Sequence, residues 1–176
     1  GAGWPHRQSR SVPVRHWLKF GHSMTAISFL GAVIVIWVMI DQLPLPDEAL
    51  DTYVAQRQLM ARIASLVLMP SLLMSLLFGL ASMAAVPGFH GAPWAWAKLV
   101  TTVLMLEGSL LGIQSPIKRE AVLAEKALLD PVHISELAQN ISAEQMSLVL
   151  IGLVATVNVA LGVWRPKFRA KTTAST

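Results

Sequence analysis

His22, Lys98 and Glu107 are ionisable side chains standing inside, or at the edge of, long uncharged runs of this sequence. An imidazole can ligate a metal or haem iron, or carry a proton. A lysine can hold an anionic group as the ammonium or act as a second ligand as the amine. A carboxyl group can pass a proton or pair with a cation. Ionisable residues inside a membrane are costly, so they point to function by default. Each also has a plainer role open to it. His22 can be hydrogen-bonded near the headgroups, Lys98 can reach the interface from a helix end, and Glu107 can bond to a neighbouring helix.

The elements that must position these residues are membrane spans. No charged residue occurs from Phe20 to Ile40, from Ile63 to Trp96 or from Gln145 to Trp164, and Leu99 to Ile117 holds Glu107 alone. About 20 apolar residues suffice for a helix to cross a hydrocarbon core of roughly 30 Å. With 54% hydrophobic residues, 14% charged and a mean hydropathy of +0.56, the chain is too apolar for a soluble domain. The expected fold class is all-α: a polytopic four-transmembrane-helix bundle forming one domain over 1–176. Its spans are expected at about 20–40, 63–86, 98–117 and 145–164, with an amphipathic surface helix at about 116–130 between spans three and four. Glu107 lies nine residues after Lys98, about 13.5 Å along a helix and so near mid-membrane. A charge there costs roughly 2.5–3.5 kcal/mol on insertion scales. Glu107 is therefore expected to face the bundle interior, with Arg62, Asn158 and Thr102 as possible partners.

Between the spans the signals are of breaking and capping. Pro44 and Pro46 end the first helix in a net acidic loop, and Pro70 should kink the second. Ser71, Ser75, Gly79 and Ser82 offer a small-residue packing face. Ser115-Pro116 can end the third helix or begin the next. The helix that follows sets Val122, Leu123, Leu128 and Leu129 against Lys118, Arg119, Glu120, Glu125 and Lys126, a pattern suited to a membrane surface or a partner. Pro131 should break it, Ser142-Ala-Glu-Gln145 has capping-box spacing, and Asn158 is expected to make an interhelical hydrogen bond.

Charge sets the orientation. The residues before Phe20 supply Arg7, Arg10, Arg15 and Lys19 with no acid, and those after Trp164 supply Arg165, Lys167, Arg169 and Lys171. The two opposite segments are net acidic, so both termini are expected in the cytoplasm, with Trp4 of the amino-terminal arm at the interface. The first apolar run is too long for a signal peptide and is expected to be retained. The net charge of +4 is thus topological and gives no reason to expect nucleic acid. With no cysteine, disulfides, thiolate zinc sites, iron–sulfur clusters and covalent c-type haem are excluded.

Several short motifs carry a resemblance. They are Trp17-Leu-Lys-Phe-Gly-His22 entering the first span, and Met69-Pro70-Ser-Leu-Leu-Met with Phe78-Gly79-Leu80 in the second. Trp94-x-x-x-Lys98-Leu99 opens the third, and Arg165-Pro-Lys-Phe168 follows the last. Together they resemble the bacterial membrane-bound protoporphyrinogen IX oxidase family, a pattern shared with copper-resistance D-like proteins and with uncharacterised four-helix integral membrane proteins. The resemblance implies the bacterial inner membrane, and a haem-linked histidine and lysine at the positions of His22 and Lys98. The chain departs from that pattern in the third span, where Glu107 and Ser109 stand in place of a further histidine.

Two function classes follow, with a third behind them. One is a haem- or porphyrin-binding redox protein, passing electrons to a quinone or a respiratory partner. In it, His22 and Lys98 hold a b-type haem or porphyrin at one depth, Gly21 and Gly31 let the flat ring approach, and Trp94 and Trp96 cover its edge. The other is a non-catalytic accessory subunit, docked among other membrane subunits or in a homo-oligomer. The third is copper handling through Met24, Met69, Met74, Met83 and Met105, which show no tight Met-x-x-Met cluster. His16 and His90 are expected at the surface.

Overall fold

The computed structural model describes residues 12–85 and 91–164. Trp4 and the arm before residue 12, the Pro87-Gly88 turn with His90, and the basic segment after Trp164 lie outside the described residues. The described chain is almost wholly helical and contains no strand. Four long helices run Val12–Asp41, Leu50–Ala85, Pro93–Leu129 and Ile141–Trp164, and each is long and apolar enough to cross a membrane. This is an all-α, multi-pass membrane bundle.

Each helix packs on its neighbours in sequence, and the fourth closes the ring against the first. The core is a stripe from each: Phe29, Val33, Ile36 and Ile40; Met60, Ala64, Leu68 and Leu72; Met105, Ile113 and Ile117; Leu148 and Ala155. The opposite faces expose Ile27, Ile34, Leu66, Leu111 and Leu153. Water would penalise such outward aliphatic surfaces, whereas lipid accepts them.

Neither interior proline breaks its helix. Ala64–Leu68 and Leu110–Gln114 are π turns, closed by Met69 N–H donating to the Ala64 carbonyl and Ser115 N–H donating to the Leu110 carbonyl. In both cases the residue that closes the turn immediately precedes the proline, Pro70 or Pro116. Proline has no N–H and crowds the carbonyl four residues back, so widening the preceding turn relieves the conflict while the helix continues. The two π turns also touch each other, and Gln114 Nε2 lies 3.5 Å from Ser65 Oγ.

The second and third helices therefore span 36 and 37 residues, about 54 and 55 Å, well beyond a core of roughly 30 Å. Their excess lies at the end where the first helix finishes and the fourth starts, and there Leu50–Ile63 packs on Ser115–Leu129. The amphipathic segment is present, but as a direct continuation of the third helix whose cover is the second. Its buried face is Ile117, Ala121, Ala124 and Ala127, with Tyr53, Val54 and Leu137 against it, while Val122, Leu128 and Leu129 stay exposed. Small alanines win that face because the helices approach closely. Pro131 ends the helix as expected, with Asp130 Oδ1 accepting from Val132 N–H at 3.1 Å. The fourth helix begins at Ile141, with Glu144 N–H donating to the Asn140 carbonyl, so the Ser142–Gln145 box falls inside its first turns.

Candidate functional site

At the end of the bundle where the first helix begins and the fourth ends, the four helices line an open cavity of about 530 Å³. Lys19, His22 and Ser23 enter it from the first helix and Ser75, Gly79 and Met83 from the second. Trp94 and Lys98 line it from the third, Gly162 and Val163 from the fourth. His22 and Lys98, 76 positions apart in sequence, share this one cavity. His22 Nδ1 lies 3.2 Å from the Ser75 carbonyl oxygen and 3.2 Å from Ser75 Oγ. A carbonyl only accepts, so a hydrogen bond to it requires the hydrogen on Nδ1, the neutral tautomer in which Nε2 keeps its lone pair. Histidines that ligate a metal commonly donate their other ring N–H to a carbonyl in this way, which fixes the ring's orientation.

Lys98 is half-buried rather than extended away from the bundle. It crosses to the fourth helix, where its Nζ takes the space a side chain at position 162 would need: a Cβ on Gly162 would lie 2.5 Å from it. Beneath it, Asn158 Nδ2 donates to Thr102 Oγ1 at 3.1 Å, and Thr102 Oγ1 donates to the Lys98 carbonyl at 2.8 Å. Asn158 thus makes the interhelical bond expected of it and ties the fourth helix to the third beside the cavity.

Other residues expected at this site are placed elsewhere. Gly21 does not present an open face for a flat ring, because the Phe78 ring fills that space: a Cβ there would meet three of its atoms at 2.5–2.9 Å. Gly31 is exposed and has no atom within 4 Å of a Cβ position, but it does not line the cavity. Trp94 lines the cavity, whereas Trp96 is exposed. Met83 lines it, Met105 lies in the core, and Met24 and Met74 are exposed. Among the described residues no three His, Asp or Glu side chains come together as a metal cluster.

Glu107 requires a correction. It is exposed on the outside of the third helix, not turned to the interior, and it is not part of the cavity. The reason is helical phase. The buried face is Thr102, Met105 and Ser109, and at about 100° per residue Glu107 falls about 140–160° away from each of them. Arg62 is exposed as well, and Thr102 and Asn158 bond to each other.

The opposite end holds a charged cluster that sequence reasoning did not find. Arg57 donates from Nη1 and Nη2 to the two carboxylate oxygens of Glu144, each at 2.9 Å, and the two side chains are 0% and 7% exposed. Arg57 Nε donates to the Tyr53 hydroxyl at 3.0 Å, and that hydroxyl donates to Glu120 Oε1 at 2.6 Å. Glu120 Oε1 also accepts from Ala138 N–H at 2.8 Å, at the turn where Ala138 takes a φ of 60°. One chain of charge-assisted bonds thus fastens the second, third and fourth helices and the loop before the fourth. Spacing gave a partial signal, since Tyr53 and Arg57 are one turn apart and Glu144 opens a helix, where a negative charge is favoured.

Fold and site together define a class: a four-helix membrane bundle with a ligand-sized, histidine- and lysine-bearing cavity at one end and a buried ionic clamp at the other. Compared with family models, curated proteins and solved structures, the chain matches none of them.

Proposed function

We propose that the chain is a haem- or porphyrin-binding redox protein of the bacterial inner membrane, with both termini cytoplasmic and the macrocycle held by His22 and Lys98. The observation that carries this reading is the tie of His22 Nδ1 to Ser75 in a cavity shared with Lys98, since the tautomer that donates to the Ser75 carbonyl has its lone pair on Nε2. The donor set fits the group. One imidazole suits haem iron, the ammonium groups of Lys19 and Lys98 suit its propionates, and Ala26, Ile27, Leu30 and Leu99 supply an apolar wall. The volume lies within the roughly 300–1,000 Å³ usual for ligand pockets.

When bound, haem supplies a one-electron couple for exchange with a quinone or a respiratory partner. Ser75 would hold the imidazole plane, Lys98 and Lys19 would balance the carboxylates of the bound group, and Trp94 would help to exclude water. The orientation rests on the four basic residues at each terminus against the acidic excess of the opposite segments. The resemblance to the protoporphyrinogen IX oxidase family points the same way.

The test is the absorption spectrum of the full chain, purified from cells supplied with haem precursor, before and after dithionite. A Soret band that is lost or shifted in His22→Ala is expected. No Soret band, or one indifferent to His22→Ala, overturns the proposal and leaves the accessory-subunit reading ahead. Gly79→Phe offers a second measurement, because Gly79 lines the cavity and has no atom within 4 Å of a Cβ position. The variant is expected to keep its helicity and thermal midpoint while the pigment content per chain falls severalfold.

A further inference from the structure

Mid-membrane and outward-facing is an unusual address for a carboxyl group, and Glu107 has it. Four exposed aliphatic side chains surround it on the helix surface, Val103, Leu104, Leu110 and Leu111, one turn before and one turn after. Lipid offers this group no hydrogen-bond donor. Nor can a side chain with two methylenes reach water, since the nearest basic levels, Lys98 and Lys118, are about 13.5 and 16.5 Å away along the axis. The bundle interior is barred by helical phase. An ionised carboxylate at that level therefore needs a donor brought from outside.

We infer that the Glu107 face of the third helix is an interface within the membrane for a different transmembrane chain, one that presents a lysine, arginine or histidine at mid-depth. Charge complementarity selects the occupant. Across the four apolar runs Glu107 is the single charged residue. A second copy inserted in the same orientation has no lysine or arginine within any of its apolar runs, so whichever face it turned to this one it would bring no basic side chain to that level. A basic side chain on a foreign helix satisfies the carboxyl, while the leucines and valines around it exclude lipid and make the van der Waals contact that drives helix association in bilayers. The interface is separate from the His22 cavity, and haem content is expected to be the same with or without it.

The experiment is site-specific photo-crosslinking in the native membrane, with a photoreactive residue at Leu104 or Leu111 and a control at Leu153 on the fourth helix. The expected result is one dominant adduct from the third-helix positions, identified by mass spectrometry as a chain with a basic residue mid-span. Its yield should drop about tenfold or more in Glu107→Leu and reappear when Glu107→Lys is combined with the reciprocal basic-to-acidic change in the partner. Adducts with lipid or with a second copy only, a partner without a mid-span basic residue, or a yield indifferent to Glu107→Leu would each overturn the inference. The purified Glu107→Leu bundle should keep its thermal midpoint, because the position is exposed. Its failure to fold alone would assign the carboxyl an internal role and likewise overturn it.

Discussion

Arg57→Ala is expected to destabilise the bundle by about 3–5 kcal/mol, the usual cost of removing one partner from a buried ion pair. The guanidinium is fully buried and meets Glu144 through two parallel bonds of 2.9 Å. Its loss strands the Glu144 carboxylate and removes the Nε donor from the Tyr53 hydroxyl. The double variant Arg57→Met with Glu144→Leu removes both charges at similar volume and should recover most of the loss, since a well-packed apolar pair often equals the ionic one. Tyr53 keeps its bond to Glu120 in that background, so the second and third helices stay joined. Reversible unfolding in detergent by a denaturant, run on Arg57→Met, Glu144→Leu and the double, measures the coupling, and the same assay on Arg57→Ala measures the loss. A loss under about 1 kcal/mol in Arg57→Ala would place the pair with surface salt bridges and refute its role as the clamp.

Gly21→Ala is the second large effect. A methyl group there would lie 2.5 Å from Phe78 Cζ and within 2.9 Å of both ring Cε atoms, so the first and second helices must separate or the ring must turn. Overpacking of this kind costs about 1–3 kcal/mol. Phe78→Leu removes the obstructing atoms, so the double variant should be more stable than Gly21→Ala alone, a rescue that thermal midpoints of the three proteins would detect. Because Gly21 adjoins His22 and Phe78 lies one turn from Ser75, the same displacement should stretch the 3.2 Å contact between His22 and the Ser75 carbonyl. Gly21→Ala is therefore expected to weaken pigment retention as well. Additive midpoints in the double variant would show that the contact carries no weight.

The spans were legible because hydropathy over 20 residues depends on composition alone, and composition is local. The shared level of His22 and Lys98 was legible because an odd-numbered helix always restarts on the first helix's side. Angular position was not legible. The depth of Glu107 follows from counting, but its outward phase depends on which face of the third helix the second and fourth cover. The clamp escaped for a related reason. Arg57 and Glu144 lie 87 positions apart, and a basic residue in a segment of mixed charge reads as solvated until the helix carrying it is known to run on. Alanine was the misleading residue in the amphipathic segment, since an apolar pattern ranked by size selects Leu128 and Leu129 over Ala121, Ala124 and Ala127. One signal was available and unused. Met60, Ala64, Leu68 and Leu72 on the second helix, and Met105, Ser109, Ile113, Ile117 and Ala121 on the third, are spaced by four throughout. On an ideal α-helix each such step overshoots a full turn by about 40°, so an unbroken series of fours on one face implies a widened turn within it.

That widened turn amounts to one additional residue in each of two long helices, inserted at a common height. Removing a residue from a single one would rotate its outer half against its membrane half by about 100° and carry Arg57, or Glu120, off its partner while leaving the apolar stripe below untouched. Matched changes in both helices would not compensate, because right-handed helices turn in the same sense whichever way the chain runs, and the two facing surfaces would part. Neither helix can therefore gain or lose a residue there without opening the clamp, so the two extra residues act as a phase key that sets how the outer end faces the membrane half.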